Sequence, residues 1–418
     1  MLNIVFTHYN KKEVEPTLLE WGMPEVKIPN GAKDEVEARI LYGDVEGNNY
    51  NRFRYFYNFF IHGFHKNTVK FYSVNEIPSL DKPFAYVYPI HIFNHNLYKL
   101  YTEKLFYIPD KVIRDIQNKR AKLMFISDEG EEINDIKLKM LEYQTKNYNI
   151  NSSSVVFLSC NCLIEEILKE KGYIGIYYNP WQFSAARFMT AHYNFIKTKC
   201  NILEDKLRDK KFLCFNRNNH AHRAYLVERL LELGIDKESI ITYGNIGNNI
   251  YFWKEHKLLN SKIPLLHDEK QLHVNTPIDI NFDAHNQCYF NIVTETYFEQ
   301  NSNKTVFFSE KIFKPIQCLQ PFLLVGQVNG LKQLKKMGYK TFDQFINEDY
   351  DSINDSIPRI EAIIKEIVRL NSISNEHLSN MLYQMFPILE HNFCNHAKLI
   401  QEYYYAEIIV NKIYETWQ

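Results

Sequence analysis

Three short stretches in the C-terminal half of the chain carry the residue types that recognition of an anionic, hydroxyl-bearing substrate needs. The first is KFLCFNRNNHAHRAYLVERLLELG, starting at Lys211. An apolar run stops at Phe215, and Asn216, Arg217, Asn218, Asn219 and His220 follow before a helical pattern that carries His222 and Arg223. Guanidinium groups and the N–H groups of a helix start both favour phosphate oxygens, so Asn216, Arg217 and Arg223 are candidate anion ligands. An asparagine-capped, solvated loop is the competing reading of the same residues. The second stretch is FNIVTETYFEQNSN, where an apolar run ends in Thr294, Glu295 and Thr296. A carboxylate at the carboxyl end of a strand can accept two hydroxyl hydrogen bonds, as in ribose recognition, although water is an equally ordinary partner for it.

The third stretch is FFSEKIFKPIQCLQPFLLVGQ, residues 307–327. Ser309 is a good N-cap, and Ile312, Phe313, Ile316 and Leu319 share one helical face. Glu310 suits the positive end of a helix and Lys311 does not. A lysine there becomes favourable when an anion sits in front of it. Lys311 and the helix N–H groups would then hold a phosphate, with Glu310 turned to a sugar hydroxyl; a merely exposed lysine is the alternative. Because proline is tolerated only near a helix start, Pro315 moves the expected first turn a few residues beyond Ser309.

These residues need strands that end together. Strand patterns recur at 2–8, 68–74, 83–90, 122–127, 154–159 and 173–179, with helical patterns at 110–120, 134–147 and 163–171. After a helix from Trp181 to about Lys197 and a charged stretch, the alternation restarts with strands at 211–216, 239–244, 288–296 and 321–326. Helices are expected from His222 to Leu233, near 330–339 and 355–371, and at 396–415. Short continuous apolar runs between amphipathic helices imply parallel strands buried on both faces. The expected fold is therefore α/β, with two Rossmann-like doubly wound domains at 1–205 and 206–395 facing across a cleft, and a C-terminal helix at 396–418 that crosses back. In such sheets ligands bind at the carboxyl ends of the strands, which is where the three stretches fall.

A chain of 418 residues exceeds one ordinary core, and 45% hydrophobic with 24% charged residues describes a globular protein. The formal net charge of −1 argues against bulk nucleic-acid binding. Seven cysteines without paired metal-ligand spacing read as reduced thiols. No apolar run reaches the roughly 20 residues of a membrane span, and MLNIVFTHYN is too polar for a signal peptide, so the expected location is cytoplasmic, the host's cytoplasm for a viral chain. The chain has no P-loop and no G-x-G-x-x-G fingerprint. The three stretches together fit a nucleoside-diphosphate pocket in which Arg and Lys, not a metal, neutralise the leaving group.

FLCFNRNNHAHR, TETYFEQ and FFSEKIFKPIQCLQPFLLVG together resemble the donor half of two-domain, GT-B-type glycosyltransferases, closest to the fucosyltransferase-like group and its relatives in phages and large viruses. That group pairs a strand ending near Phe-Glu-Asn with a Thr-Glu-Lys helix start; this chain has Phe298-Glu299-Gln300 and Ser309-Glu310-Lys311. The resemblance covers about residues 210–345. It implies a GDP- or UDP-sugar donor without a required cofactor or metal, Glu310 on the ribose, Lys311 on the phosphates, and Arg217 or Arg223 facing the diphosphate. Either Glu295 or Glu299 would match the family's conserved glutamate.

An inverting transferase also needs a base beside the acceptor hydroxyl. KLMFISDEGEE puts Asp128 and Glu129 directly after a buried strand, and these are the expected catalytic residues; His8, His91 and His95 are rivals. NRFRYFYNFF (51–60) reads as helix core before it reads as a sugar platform. The expected activity is transfer of a sugar from a nucleoside diphosphate to a hydroxyl, with a glycan as favoured acceptor and a hydroxymethylated DNA base ranked below it. A nucleotide-sugar- or glycan-binding protein without catalysis is the alternative from another class.

Overall fold

The computed structural model describes residues 2–6, 69–73, 77, 82–87, 108–127, 135–191, 193–194, 196, 207–244, 265, 280–299, 305–401 and 404–417. The chain divides into two compact units: Met1–Pro180 together with Tyr403–Gln418, and Trp181–Glu402.

The first unit holds β1 (Leu2–Phe6), β2 (Val69–Ser73), β3 (Phe84–Val87), α1 (Asp110–Gln117), β4 (Ala121–Ser127), α2 (Asp135–Asn147), β5 (Val155–Ser159), α3 (Ile164–Lys169) and β6 (Ile174–Tyr177). Its six-stranded sheet has the order β2-β1-β3-β4-β5-β6, with every pair parallel. The runs FAYV and VVFLS are buried at each position, which is why they read as continuous apolar strands and not as alternating ones. Phe125 and Phe157 stack with centroids 5.2 Å apart. Helix α1 lays Val112 and Ile116, four residues apart, into this core. At Gly175 a Cβ would lie 2.4 Å from the carbonyl oxygen of Ile164, so only glycine lets the start of α3 rest against β6. The last helix, α11 (Tyr404–Glu415), returns to this unit: Ile409, Val410 and Ile413 are buried, Lys412 pairs with Glu165, and the Lys122 ammonium lies 6.0 Å from the Trp417 ring centroid.

The second unit contains α4 (Pro180–Ala191), of which only Pro180 lies in the first, then β7 (Lys210–Cys214), α5 (Ala221–Glu232), β8 (Ser239–Ile241), α6 (Phe282–Gln287), β9 (Cys288–Thr294), α7 (Glu310–Gln317), β10 (Phe322–Val325), α8 (Gly330–Lys336), α9 (Ser356–Asn371) and α10 (Asn375–Gln401). Its four-stranded sheet is again parallel, in the order β10-β9-β7-β8. Strand β9 is buried at every residue, and Phe290 stacks on Phe212 of β7 with centroids 6.0 Å apart. Both sheets thus have the parallel, helix-interleaved character of Rossmann-like α/β folds.

Two expectations about helices change. The helix after Ser309 begins at Glu310, not some residues later, and Pro315 lies inside it. The proline withholds one N–H from a helix of only eight residues. That helix closes with the N–H of Gln320 on the Pro315 carbonyl at 2.9 Å and Leu319 at φ 50°, a left-handed turn made by leucine where glycine is usual. The single helix expected at 396–415 is instead the end of α10 followed by α11. Among the described residues no helix is long and apolar enough to cross a membrane.

Candidate functional site

The second sheet has one position where the chain changes direction across it. From β7 the chain reaches β8 on one side, and it then returns to β9 on the other side before moving outward to β10. In open parallel sheets this switch point, between β7 and β9, opens a crevice at the carboxyl ends of the strands. Asn216 lies two residues beyond β7 and Glu295 directly follows β9, and the candidate residues gather around them.

Asn216 is buried and held from three directions. Its N–H donates to Thr242 Oγ1 at 3.0 Å, its Oδ1 accepts from Thr294 Oγ1 at 2.7 Å, and its carbonyl accepts from the Gly244 N–H at 2.9 Å. Tyr243 donates its hydroxyl to Asn219. Gly244 passes so close beneath Arg217 that a Cβ would lie 2.7 Å from the Arg217 carbonyl oxygen. The loop 216–219 is thereby clamped onto the segment after β8, which falls within the strand expected from the sequence at 239–244.

Arg223, at the start of α5, is 2% exposed. Its Nη2 donates to the carbonyls of Thr294 at 3.0 Å and Glu295 at 2.9 Å, and Nη1 to that of Asn218 at 3.3 Å. The guanidinium therefore ties the end of β9 to the 216–219 loop. Burial lowers its pKa to about 10, with Glu295 and Glu310 pulling the other way, so it stays charged near neutral pH. His222 adds a hydrogen bond from Nε2 to the Glu295 carbonyl at 3.0 Å, and burial holds its imidazole neutral far below the ordinary range. Arg217 is the half-buried arginine of the pair, and among the described residues its Nε has no hydrogen-bond partner.

Glu295 is 1% exposed and points toward the start of α7. Its Oε2 accepts from the Ser309 N–H at 3.1 Å and from Ser309 Oγ at 2.5 Å; among the described residues Oε1 has no hydrogen-bond partner. Ser309 is the N-cap, its side chain accepting from the Lys311 N–H. Lys311 Nζ donates to Ser309 Oγ at 3.0 Å and to Glu310 Oε1 at 2.9 Å. Glu295, Ser309, Lys311 and Glu310 form one chain of contacts at the mouth of α7. Burial raises the Glu295 carboxyl, helped by the neighbouring Glu310 and opposed by Lys311 and Ser309. Burial also pushes Glu310 up, but Lys311 and Lys314 outweigh it and leave this carboxyl below its ordinary range. The two carboxyls are thus driven apart, the pattern of a site that assigns different tasks to each. His220 is also held down, to about 4, by burial and then by Arg223 and Lys311.

The structure thus brings Asn216, Arg223, Glu295, Ser309, Glu310 and Lys311 into one linked group, with Arg217 on the clamped loop. Glu299 is exposed, whereas Glu295 carries the contacts to Ser309. Asp128 and Glu129, like His8, His91, His95 and 51–60, lie outside the described residues.

Sequence reasoning missed the support behind this group. Phe298 stacks on His222 with centroids 5.2 Å apart, and the Arg359 guanidinium lies 4.3 Å from the Phe298 centroid. Arg359 is buried and donates to the Phe298, Ile353 and Asn354 carbonyls. Its signal was present: it falls on the same buried stripe of α9 as Ile363, Ile367 and Leu370, a poor place for an arginine with no partner. An open groove of about 700 Å³, lined in part by Lys335, Asp343, Glu348 and Arg369, lies elsewhere in the unit and includes none of the candidate residues. Among the described residues no group of three or more His, Cys, Asp or Glu side chains could hold a metal ion. The chain matches no protein-family model, and comparisons with curated proteins and with solved structures find no match.

Proposed function

We propose that the chain is a glycosyltransferase whose second unit binds a nucleoside-diphosphate sugar at the β7/β9 switch point and passes the sugar to a hydroxyl acceptor, a glycan before a hydroxymethylated DNA base. The observation that carries the reading is the cluster at the start of α7, at the carboxyl end of the sheet. There a lysine, a helix N-terminus and a buried carboxyl oxygen that has no hydrogen-bond partner among the described residues meet. A diphosphate matches the lysine and the helix N–H groups, and sugar hydroxyls match the carboxylates.

In this reading Lys311 and Arg217 neutralise the charge that builds on the departing diphosphate, a role that Arg and Lys fill without a metal. Arg223 acts beneath them. Its Nη atoms are engaged by backbone carbonyls, so it sets the positions of Glu295 and of the 216–219 loop. Asp128 or Glu129 takes the acceptor proton as the acceptor oxygen bonds to the anomeric carbon from the face opposite the diphosphate, whose bond to that carbon breaks, and this displacement inverts the centre.

The test is a panel of nucleotide sugars offered with and without saccharide acceptors, followed by release of the nucleoside diphosphate. Release by the native chain, lost in Lys311→Ala, is the expected result. Binding of a donor without release, with any acceptor or none, would move the protein to the non-catalytic alternative. No binding of any donor would end both readings.

A further inference from the structure

The charges at the start of α7 are paired with one another. Lys311 Nζ sits on Glu310 Oε1 at 2.9 Å and on Ser309 Oγ at 3.0 Å, and the Glu310 side chain is only 7% exposed. Ser309 Oγ in turn donates to Glu295, whose second oxygen has no hydrogen-bond partner among the described residues although the residue is 1% exposed. A phosphate approaching the helix N–H groups must therefore compete for an ammonium that a buried carboxylate holds.

We propose that Lys311 is exchanged between Glu310 and the phosphate of the ligand, so that phosphate binding releases Glu310 to accept the ligand's sugar hydroxyls and the two recognition events are positively coupled. The inference rests on the donor-site reading above and adds an order to it. With the phosphate absent, Glu310 is satisfied by Lys311 and gains little from a hydroxyl. With the phosphate present, Lys311 turns to the stronger anion, and a buried carboxylate without its cation becomes a strong acceptor. A nucleoside alone would bind poorly, and both parts together would bind better than the sum. Coupling of this kind is reciprocal, so the nucleoside must strengthen phosphate binding by the same factor. The groups that face Glu310 and Lys311 are Ser309 and Lys314 on their own element, Glu295 after β9, and Arg223 and His220 at the start of α5. With Lys311 drawn to the phosphate, Lys314 on the same helix still favours the ionised form of Glu310.

The experiment is a calorimetric cycle on the full chain. Inorganic pyrophosphate and the nucleoside of the tightest-binding nucleoside diphosphate are titrated separately, and the nucleoside is then titrated at saturating pyrophosphate. In the native chain pyrophosphate should tighten the nucleoside by about 5- to 150-fold, the usual span of coupling between sites. Glu310→Gln should bind pyrophosphate more tightly than the native chain, because its amide cannot hold the ammonium as a carboxylate does, and the coupling should vanish. Mere damage to the site would weaken pyrophosphate instead. Independent binding of the two ligands in the native chain overturns the exchange while leaving the donor site intact. Failure of pyrophosphate and of every nucleoside diphosphate to bind overturns the donor site and the exchange with it. The native cycle alone decides the coupling, so the inference stays testable even if Glu310→Gln folds poorly.

Discussion

Arg217 and Arg223 look alike in the sequence and have opposite surroundings in the structure, and exchanging each for a neutral residue separates their roles. Arg223→Met removes hydrogen bonds to the carbonyls of Asn218, Thr294 and Glu295, all made by a residue 2% exposed. It also takes a cation away from two buried carboxyls, Glu295 and Glu310. Removing one partner from a buried charged network costs about 3–5 kcal/mol, because the remaining groups are left without compensation. For a unit of this size each kcal/mol moves the melting point by roughly 2–4 °C, so Tm should fall by about 6–20 °C. Arg217→Ala touches a half-buried side chain whose Nε has no hydrogen-bond partner among the described residues, so stability should stay within about 0.5 kcal/mol of native. Pyrophosphate affinity should nevertheless drop roughly tenfold or more in Arg217→Ala, the size of one lost hydrogen bond to a charged group. Calorimetric melting of the full chain and titration with pyrophosphate measure both quantities. If Arg223→Met melts within about 1 kcal/mol of native, the guanidinium is not the tie described here.

Further outcomes follow from other contacts. Gly244→Ala should distort the Arg217 loop and weaken pyrophosphate binding, at a stability cost of about 1–3 kcal/mol, because the new Cβ would lie 2.7 Å from a backbone oxygen. Gly175→Ala should lower Tm at least as much and leave nucleotide binding unchanged, since its clash at 2.4 Å with the Ile164 carbonyl is in the other unit. His285 and His396 are buried with pKa values lowered to about 4 and about 3, and His222 is also lowered. Their unfolded forms take up protons first, so stability is complete above pH ~6.5 and declines below it, by about 1.4 kcal/mol per pH unit for each histidine. Melting between pH 7.5 and 5 should show this fall, and a flat profile would contradict it. Glu295 has the opposite sign: its raised carboxyl pKa favours the folded state at low pH, and that contribution disappears as pH rises past the folded value. The stability of Glu295→Gln relative to native should therefore increase with pH across that range, as read from paired melting curves.

Much of the frame was legible because its signals are local. CYFNIVT is apolar apart from Asn291 and Thr294 and is buried throughout, and Ser309 caps the helix its position announced. Helix α7 was misplaced because Pro315 weighs heavily as a breaker, while the structure tolerates one missing N–H in a short helix. Its end was invisible, since a leucine at φ 50° takes the place where glycine would have been the clue. The beginning of α10 was hidden by Pro387 within a segment that reads as interrupted. The three polar stretches were legible as strand ends, because each follows an apolar run that the structure makes a strand or leads into a buried helix face. What the sequence could not show was which arginine is buried against carbonyls and which is half-exposed. That depends on how the 216–219 loop locks onto Thr242, Tyr243 and Gly244, a contact between segments distant in the chain.

The central claim is that the start of α7, beside Glu295 and the Arg217 loop, holds a nucleoside diphosphate. Isothermal titration of the full chain with UDP, GDP and ADP, without added metal and in parallel with Lys311→Ala, tests it most directly. Saturable binding of at least one of them by the native chain is expected, with a loss of roughly tenfold or more in Lys311→Ala; that variant should also melt lower, because the buried Glu310 carboxylate loses its cation, so both proteins are titrated well below their melting points. Equal affinity in the two proteins, or no heat of binding from any of the three, would contradict it.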